Sequence, residues 1–418
     1  MGKTISEKIL SIHSGKQLQA GDFAVCNIDF CFGQDGTSGI IVERFNKLGI
    51  KKVFNKRKFA IVIDHNSPSP NLGVATVHKK LREFSRKMGL ILYDIGCGVC
   101  HQIIPESGHV LPGYLVLGAD SHTSTYGALG ALATGVGSTD LAISLATGKN
   151  WFRVPETIKI IVKGKIPRWI SAKDIILHII GDLKADGATY KSIEFTGPVI
   201  EELTLDGRFT ICNMAVELGA KFGIIPADKK VFDFLKGRTK QRLRPVYADR
   251  DAKYCLIKEY DITKLSPQIS RPHTVDNVCS IDQIKNIPIN QAFLGTCTNG
   301  RLDDLEIAAK ILESKKVHPK VRFIIAPASR NIFLTAVKKG WISIFIKSGA
   351  TVVNPGCGPC VGTHQGVPSD NEVVISTANR NFKGRMGNPN AFIYLASPAT
   401  VTASAVKGEI TDPRKIKI

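Results

Sequence analysis

The stretch YLVLGAD, residues 114–120, is an apolar run of the length of a buried strand, and it ends in an acidic residue. Between such runs lie segments with apolar residues at three-to-four spacing, such as 79–89 and 305–316, which is typical of amphipathic helices. Alternating strands and helices predict an α/β fold, in which ligands bind where the carboxyl ends of strands meet loops. The other apolar runs are FAIVIDH (59–65), IKIIVKG (158–164), VRFIIAPA (321–328) and EVVISTA (372–378).

The length and composition predict a globular protein of two or three domains. The chain has 418 residues, of which 43% are hydrophobic. No run approaches the roughly 20 apolar residues of a membrane-spanning helix, so we expect no membrane association. Ten cysteines without a secretory signal predict a reducing compartment, the cytoplasm. In that compartment, clustered cysteines are more often metal ligands or catalytic groups than disulfides.

The formal net charge of +20 raises the question of a nucleic-acid partner. The basic residues fall in separate short clusters, at 51–58, 236–244 and 315–322, with few aromatic residues between them. The sequence holds no RNP, zinc-finger or helix-turn-helix signature. We therefore favour a solvated basic surface that would also attract an anionic substrate. A nucleic-acid binder is the alternative, and it predicts steeply salt-dependent retention on DNA or RNA.

Three cysteines lie in small-residue loops that favour a metal centre. Cys297 lies in LGTCTNGRLDD (294–304), and Cys357 and Cys360 lie in NPGCGPCVGTHQG (354–366). Three thiolates suit an iron–sulfur cluster better than zinc, because a structural zinc closes its shell with four ligands. Alone, Cys297 would be interpreted as a small buried residue. A structural zinc site is a further alternative, with its four thiolates at Cys97, Cys100, Cys357 and Cys360.

Charged side chains follow three strand ends. Asp120, Ser121 and His122 end one strand, and Asp64 and His65 end another. Adjacent Asp and His suit acid–base chemistry, although Asp120 could equally be a helix N-cap. The third strand is followed by two arginines, and guanidinium groups bind carboxylates bidentately, which indicates a di- or tricarboxylate substrate. These arginines are Arg380 and Arg385.

Four motifs together resemble the aconitase superfamily. They are GADSHT (118–123), LGTCTNGR (294–301), NPGCGPCVG (354–362) and NRNFKGRMG (379–387). More closely, they resemble the large subunits of the split 3-isopropylmalate dehydratases and homoaconitases, over nearly the whole chain. The resemblance implies an aconitase-like core of three α/β domains around an iron–sulfur cluster, lacking the swivel domain of the single-chain enzymes. We expect the domains at 1–166, 167–285 and 286–418, of which the last carries the cluster cysteines and the substrate arginines.

The resemblance also implies roles for individual residues. One [4Fe–4S] cluster per chain would have three cysteine ligands, Cys297, Cys357 and Cys360. The catalytic pairs would be Asp64 with His65, His101 with Asp120, and His122 with Glu217. Substrate-binding residues would be Gln34, Ser121, Asn213, Asn379, Arg380 and Arg385. The motif GCGVCHQ (96–102) spells a c-type haem attachment site, C-x-x-C-H, but the resemblance assigns its role to His101 and none to Cys97 and Cys100.

The activity that the resemblance implies is that of a hydro-lyase. It would isomerise 2-isopropylmalate to 3-isopropylmalate in leucine biosynthesis, by dehydration and rehydration of this small 2-hydroxy dicarboxylate. We expect activity only with a small swivel-domain subunit that supplies the catalytic base, and we expect the Asp64–His65 pair to protonate the departing hydroxyl. The alternatives are a homoaconitase, which converts homocitrate to homoisocitrate, and a citramalate or 2,3-dimethylmalate dehydratase.

Overall fold

The computed structural model describes residues 2–417. Its strands are β1 (Phe23–Asn27), β2 (Phe30–Gln34), β3 (Phe59–Val62), β4 (Ile91–Tyr93), β5 (Leu115–Gly118), β6 (Leu132–Gly135), β7 (Lys149–Arg153), β8 (Thr157–Lys163), β9 (Ser192–Thr196), β10 (Phe222–Ile224), β11 (Leu256–Asp261), β12 (Gln268–Ser270), β13 (Val278–Ser280), β14 (Gln291–Gly295), β15 (Arg322–Ala326), β16 (Thr351–Val352), β17 (Val373–Ser376) and β18 (Phe392–Leu395).

The α-helices lie between these strands. They are α1 (Ile5–Ser14), α2 (Asp35–Lys47), α3 (Leu72–Met88), α4 (Cys100–Glu106), α5 (Ser138–Thr147), α6 (Ala172–Leu183), α7 (Pro198–Glu202), α8 (Leu205–Met214), α9 (Lys229–Leu235), α10 (Thr296–Asn299), α11 (Leu302–Leu312), α12 (Arg330–Lys338), α13 (Trp341–Ser348), α14 (Gly358–Val361) and α15 (Pro398–Lys407). Within residues 2–417, no helix combines the length and the apolar character that a membrane crossing requires.

A five-stranded parallel sheet forms the first third of the chain, with strand order β4-β3-β2-β5-β6. Its central strands β2, β3 and β5 are buried at every residue, which explains why they are continuous apolar runs rather than alternating ones. The predicted strands at 59–65 and 114–120 are confirmed as β3 and β5. A separate two-stranded antiparallel ladder pairs β1 with β7.

Two further sheets follow. The second sheet is parallel, with order β10-β9-β8-β11, and the third has the order β13-β12-β18-β17-β14-β15-β16. In the third sheet β12 pairs antiparallel with β13 and β18, and the other pairings are parallel. The α/β fold class is therefore confirmed. β8 lies before residue 166 but pairs within the second sheet, and the proposed domain limits at 166 and 285 stay a prediction.

Parallel strand directions gather the candidate residues at the carboxyl edges of the sheets. Gln34 ends β2, the pair at 64–65 follows β3, and Asp120 follows β5. In the third sheet, Cys297 follows β14 and Asn379 follows β17. One continuous apolar core contains side chains from all three sheets together with the three candidate cysteine ligands, so the sheets pack against each other around this region.

The connection from β5 to β6 is a 3-10 helix, Ser121–Leu129, in which all residues from His122 onward are buried. It packs against α8 and β10 and so joins the first sheet to the second. The close approach needs a glycine at 127, since a Cβ there would overlap the carbonyl oxygen of Gly223.

We predict that Gly127→Ala destabilises the protein by about 1–3 kcal/mol, because the backbone of β10 cannot yield to the added methyl group. The matched control is Gly39→Ala, inside α2, where the nearest atom to an added Cβ is 3.7 Å away. That substitution should be neutral or stabilise the protein by up to about 1 kcal/mol. Urea unfolding of both variants measures the difference, and equal stabilities would contradict the packing argument.

Candidate active site and metal centre

The Asp120 carboxylate lies at the centre of the candidate site, where it contacts three histidines. Its Oδ1 accepts hydrogen bonds from His101 Nε2 at 2.9 Å and from the backbone N–H of His122 at 2.9 Å. Its Oδ2 lies 3.2 Å from His65 Nε2. Burial would raise the pKa of Asp120, but the charges and hydrogen bonds of these histidines hold it well below its ordinary value. Asp120 is thus both the N-cap of the 3-10 helix and an ionised partner of the histidines.

The Asp64–His65 pair is ordered by a residue that the sequence analysis missed, Asp35. His65 Nδ1 lies 2.8 Å from Asp64 Oδ1, and burial, which alone would lower the pKa of His65, is outweighed by Asp64 and Asp120, so that the pKa lies well above the ordinary value. Asp35 accepts hydrogen bonds from the backbone N–H groups of residues 64, 65 and 66 and from His78 Nε2. The only signal in the sequence was its position beside Gln34.

A second chain of contacts links His122, Glu217 and Arg380. His122 Nε2 lies 3.0 Å from Glu217 Oε1, and Arg380 Nε donates to the same carboxylate at 2.8 and 3.0 Å. Burial would raise the pKa of Glu217, but the hydrogen bond from His122 and the charge of Arg380 lower it. These contacts join the 3-10 helix at 121–129, the segment after α8 and the loop after β17.

Two of the candidate cysteine ligands lie on a stiff turn. Cys357 is the N-cap of the short helix α14, and Cys360 lies within that helix after Pro359. The backbone N–H of Cys357 donates to the carbonyl of Asp64 at 2.8 Å, which ties this turn to the Asp64–His65 pair. Gly356 permits the approach, since a Cβ there would lie 2.8 Å from the same carbonyl oxygen.

Cys297 is presented from a strained turn. Thr296 precedes it with φ 74°, a backbone conformation that β-branched residues avoid. The side-chain amides of Asn213 and Asn379 lie 3.2 and 3.6 Å from Cys297 Sγ, and Asn379 Oδ1 lies 3.8 Å from Cys360 Sγ. Asn379 therefore contacts the cysteine of each loop.

The donor set fits a metal or cluster held by thiolates. A hydrogen bond from the Cys357 thiol lowers the pKa of Cys360 well below its ordinary value, although burial opposes this shift. The guanidinium of Arg385, 3.3 Å from Cys360 Sγ, lowers the pKa further. His101, His122 and Cys297 offer ligand atoms within 4.8 Å of one another. Among the described residues, the buried side-chain atoms without a hydrogen-bond partner include His101 Nδ1 and Arg385 Nε at this site. Unpaired buried polar groups are costly, so they indicate that a bound group completes the site.

Two predicted substrate-binding residues, Gln34 and Ser121, and the two cysteines of the GCGVCHQ motif complete the predicted set. Gln34 is buried and caps α2 through its side-chain oxygen, which accepts from the N–H of Gly36, while Ser121 lies at a partly exposed position beside Asp120. The N–H of Cys100 donates to Asp64 Oδ2 at 2.6 Å, so this residue contributes its backbone to the site. Cys97 is only partly buried.

Lys173 is a second residue that the sequence analysis missed. It is completely buried, and its Nζ donates to the carbonyl oxygens of Thr377 and Ala378 at 2.8 and 2.5 Å. Burial lowers the pKa of Lys173 to about 7. It fixes the backbone directly before Asn379 and Arg380. No local motif marks it, because its partners lie about 200 residues away in the chain.

The three sheets form an α/β fold, and the cysteine, histidine and carboxylate groups between them are a donor set that suits a metal or cluster. The chain belongs to the aconitase family: its residues 7–287 and 282–408 match the model described as "Aconitase family (aconitate hydratase)". The crystal structure of aconitase X (holo-form) from Thermococcus kodakaraensis superimposes with a TM-score of 0.50, at 12% identity, over 85% of this chain and 84% of that one, which supports the fold.

Similar sequences extend over the full length. The 3-isopropylmalate dehydratase large subunit 1 of Thermotoga maritima is 52% identical, covering 99% of this chain and 100% of that protein. The 3-isopropylmalate dehydratase large subunit of Elusimicrobium minutum is 49% identical over the whole of both chains. A probable methanogen homoaconitase large subunit from Methanosarcina mazei is 51% identical, over 94% of this chain and 100% of that protein. The resemblance to the aconitase superfamily is therefore confirmed.

We predict that Asp35→Asn lowers the free energy of unfolding by about 2 kcal/mol, because a charged acceptor of three backbone N–H groups is lost. The control Asp22→Asn removes a carboxylate that accepts one N–H at the surface, and it should cost less than about 1 kcal/mol.

The effect should depend on pH in a defined direction. Burial alone would raise the pKa of Asp35, but the hydrogen bond from His78, the charge of His65 and the backbone N–H groups lower it. Its stabilising contribution is therefore complete above the unfolded-state pKa of about 3.9 and is lost as the pH falls through the lower folded-state value. Urea unfolding should show the gap between wild type and Asp35→Asn narrowing below about pH 4, and a constant gap would contradict this assignment.

Proposed function

We propose that this chain is the large subunit of a [4Fe–4S] hydro-lyase that isomerises 2-isopropylmalate to 3-isopropylmalate. The observation that carries the proposal is the shared position of Asn379, between Cys297 and Cys360, directly before the arginine that binds Glu217. It brings the candidate cluster ligands and the His–carboxylate pairs into one buried site. Full-length relatives at about 50% identity named 3-isopropylmalate dehydratase large subunit support the substrate.

The proposed cluster ligands are Cys297, Cys357 and Cys360. All three thiols are buried, and the Arg385 guanidinium offsets the negative charge that bound thiolates would bring. The pKa of Cys360 is lowered by its hydrogen bond with Cys357, which raises that of Cys357 in turn, and burial raises the pKa of Cys297 to about 11. When bound, a cluster with three protein ligands supplies one iron as a Lewis acid for the hydroxyl and a carboxylate of the substrate.

The chain's own residues would hold and deliver a proton. The pKa of His65 is raised by Asp64 on Nδ1 and Asp120 near Nε2, which favours the protonated imidazole. We propose that His65 Nε2 gives its proton to the departing hydroxyl. The His101 and His122 pairs would fix the orientation of Asp120, and Arg380, Arg385 and the amides of Gln34, Asn213 and Asn379 would bind the substrate carboxylates, with Ser121 at the rim.

The base would come from a second, small subunit. The relatives' names call each of them a large subunit, which supports a small-subunit partner carrying the swivel domain. In this proposal the small subunit removes the proton α to a carboxylate and covers the carboxyl edge of the first sheet. We propose the cytoplasm as the compartment, since none of the ten cysteines is paired in a disulfide in the described residues.

A homoaconitase activity is the second candidate, because the Methanosarcina mazei relative at 51% identity carries that name. The two substrates differ in one side chain, isopropyl against carboxyalkyl. A citramalate or 2,3-dimethylmalate dehydratase would differ in the same group. The residues described above bind the parts that these substrates share.

We predict that anaerobically reconstituted wild type holds about four irons and four acid-labile sulfides per chain. Cys357→Ser and Cys360→Ser should each lose most of both, because a cluster site with two thiolates is incomplete. Cys97→Ser, a partly buried cysteine outside the proposed ligand set, is the matched control and should retain the wild-type content. Zinc without sulfide in the wild type would exclude the cluster.

We predict that the reconstituted chain converts 2-isopropylmalate only after the cognate small subunit is added, because the base lies on that subunit. The assay follows absorbance of the unsaturated intermediate with 2-isopropylmalate, homocitrate or citramalate as substrate. A kcat/KM for 2-isopropylmalate at least tenfold above the others supports the proposal. A preference for homocitrate would make the chain a homoaconitase subunit, and full activity without the partner would exclude the split arrangement.

A further inference from the structure

A cavity of about 620 Å³ lies at the opposite edge of the first sheet from the candidate active site. Its lining includes Phe30, Lys58 and Tyr114. Phe30 is the first residue of β2, and the other two directly precede β3 and β5. The candidate catalytic residues follow the carboxyl ends of these same strands. The cavity and the active site are therefore separated by the length of the sheet, and no role in the proposed reaction falls to the cavity.

Two basic clusters that are distant in the sequence meet in this cavity. Arg57 and Lys58 come from the cluster at 51–58, and Arg242 and Arg244 come from the cluster at 236–244. The lining contains one carboxylate, Asp29, and that group already accepts hydrogen bonds from the N–H of Leu115 at 3.0 Å and from His13 at 2.5 Å.

The three arginines keep their charge available. Within residues 2–417, Arg57, Arg242 and Arg244 have no carboxylate within salt-bridge distance, and all three are exposed residues that line the cavity. Lys58 lies 3.9 Å from Asp29 Oδ1, at the limit of a salt bridge. Four cations against one carboxylate leave a strong positive potential in a half-enclosed space.

The backbone of the second basic cluster is held firmly in place. Gly113 has φ 79°, and a Cβ on it would lie 2.6 Å from the carbonyl oxygen of Arg244; Gly108 makes an even closer approach to the carbonyl of Arg238. The hydroxyl of Tyr114 donates to Gln241 Oε1 at 2.5 Å, and Arg238 donates to the carbonyl of Glu106 at 2.8 Å. The arginines thus project from a segment fixed by backbone packing, which reduces the ordering cost of binding a ligand.

We propose that this cavity binds a small anion that carries two or more phosphate groups. Guanidinium groups bind phosphate oxygens bidentately, and three of them around one space suit several phosphate oxygens better than a single carboxylate. The volume lies in the range of small-molecule sites. A nucleic acid would need a continuous basic track, whereas the third basic cluster, at 315–322, leads into β15 of another sheet. This site does not depend on the proposed isomerase activity.

The test is isothermal titration of the reconstituted holoenzyme with pyrophosphate, ATP and inorganic sulfate at fixed ionic strength. The double variant Arg242→Gln/Arg244→Gln should bind pyrophosphate at least tenfold more weakly than wild type. The control Lys51→Gln/Lys52→Gln removes the same charge from the first basic cluster without touching the cavity lining, and it should bind within twofold of wild type. Both variants should keep the basal activity, because the changes lie at the far edge of the sheet.

Each outcome has a defined meaning. Equal affinity for pyrophosphate and ATP assigns the site to the phosphates alone, whereas tighter ATP binding assigns it to a nucleotide. The proposal is overturned if pyrophosphate does not saturate, if sulfate binds as tightly, or if both double variants lose affinity equally, which would indicate diffuse surface charge. A single-stranded RNA oligonucleotide that binds and is not displaced by pyrophosphate would replace the cavity with a nucleic-acid surface.

Discussion

The buried carboxylate of Asp120 is the constraint on which the rest of the site depends. It accepts from His101 and from the N–H of His122, and it faces His65 across 3.2 Å. Burying an ionised carboxylate costs free energy unless hydrogen bonds and opposite charges compensate it. The loss of any one of these partners would therefore destabilise the site. One strand end thereby contacts histidines from three segments: the loop after β3, helix α4 and the 3-10 helix that Asp120 itself caps.

The precision of the site comes from backbone contacts between loops of different sheets. The N–H of Cys357 donates to the carbonyl of Asp64, Thr363 Oγ1 donates to the carbonyl of His65, and Lys173 binds the carbonyls before Asn379. Each contact joins a candidate acid–base residue or a candidate substrate-binding residue to a segment from elsewhere in the chain. The site therefore forms only when all three sheets are packed, which couples stability of the whole molecule to function.

The first sheet also separates the candidate active site from the basic cavity. The carboxyl edge of the first sheet holds the histidines and carboxylates, and the amino edge holds the unpaired arginines at 57, 242 and 244. Part of the net charge of +20 is therefore concentrated in one cavity, where two basic segments meet. Residues 236–244 can pack at this edge because Gly108 and Gly113 have no side chain. A Cβ at either position would overlap a carbonyl oxygen of this segment.

The amino-acid sequence was enough to predict five of the eighteen strands that the structure describes and the α/β fold class, because buried parallel strands are continuous apolar runs. It also predicted the candidate site residues, because the strand ends carry short, distinctive motifs. It did not reveal Asp35 or Lys173, whose backbone partners lie 29 to 205 residues away, or the meeting of two basic clusters in one cavity. These features are visible only in the folded structure, since a contact with a distant main-chain group leaves no local pattern in side-chain type or spacing.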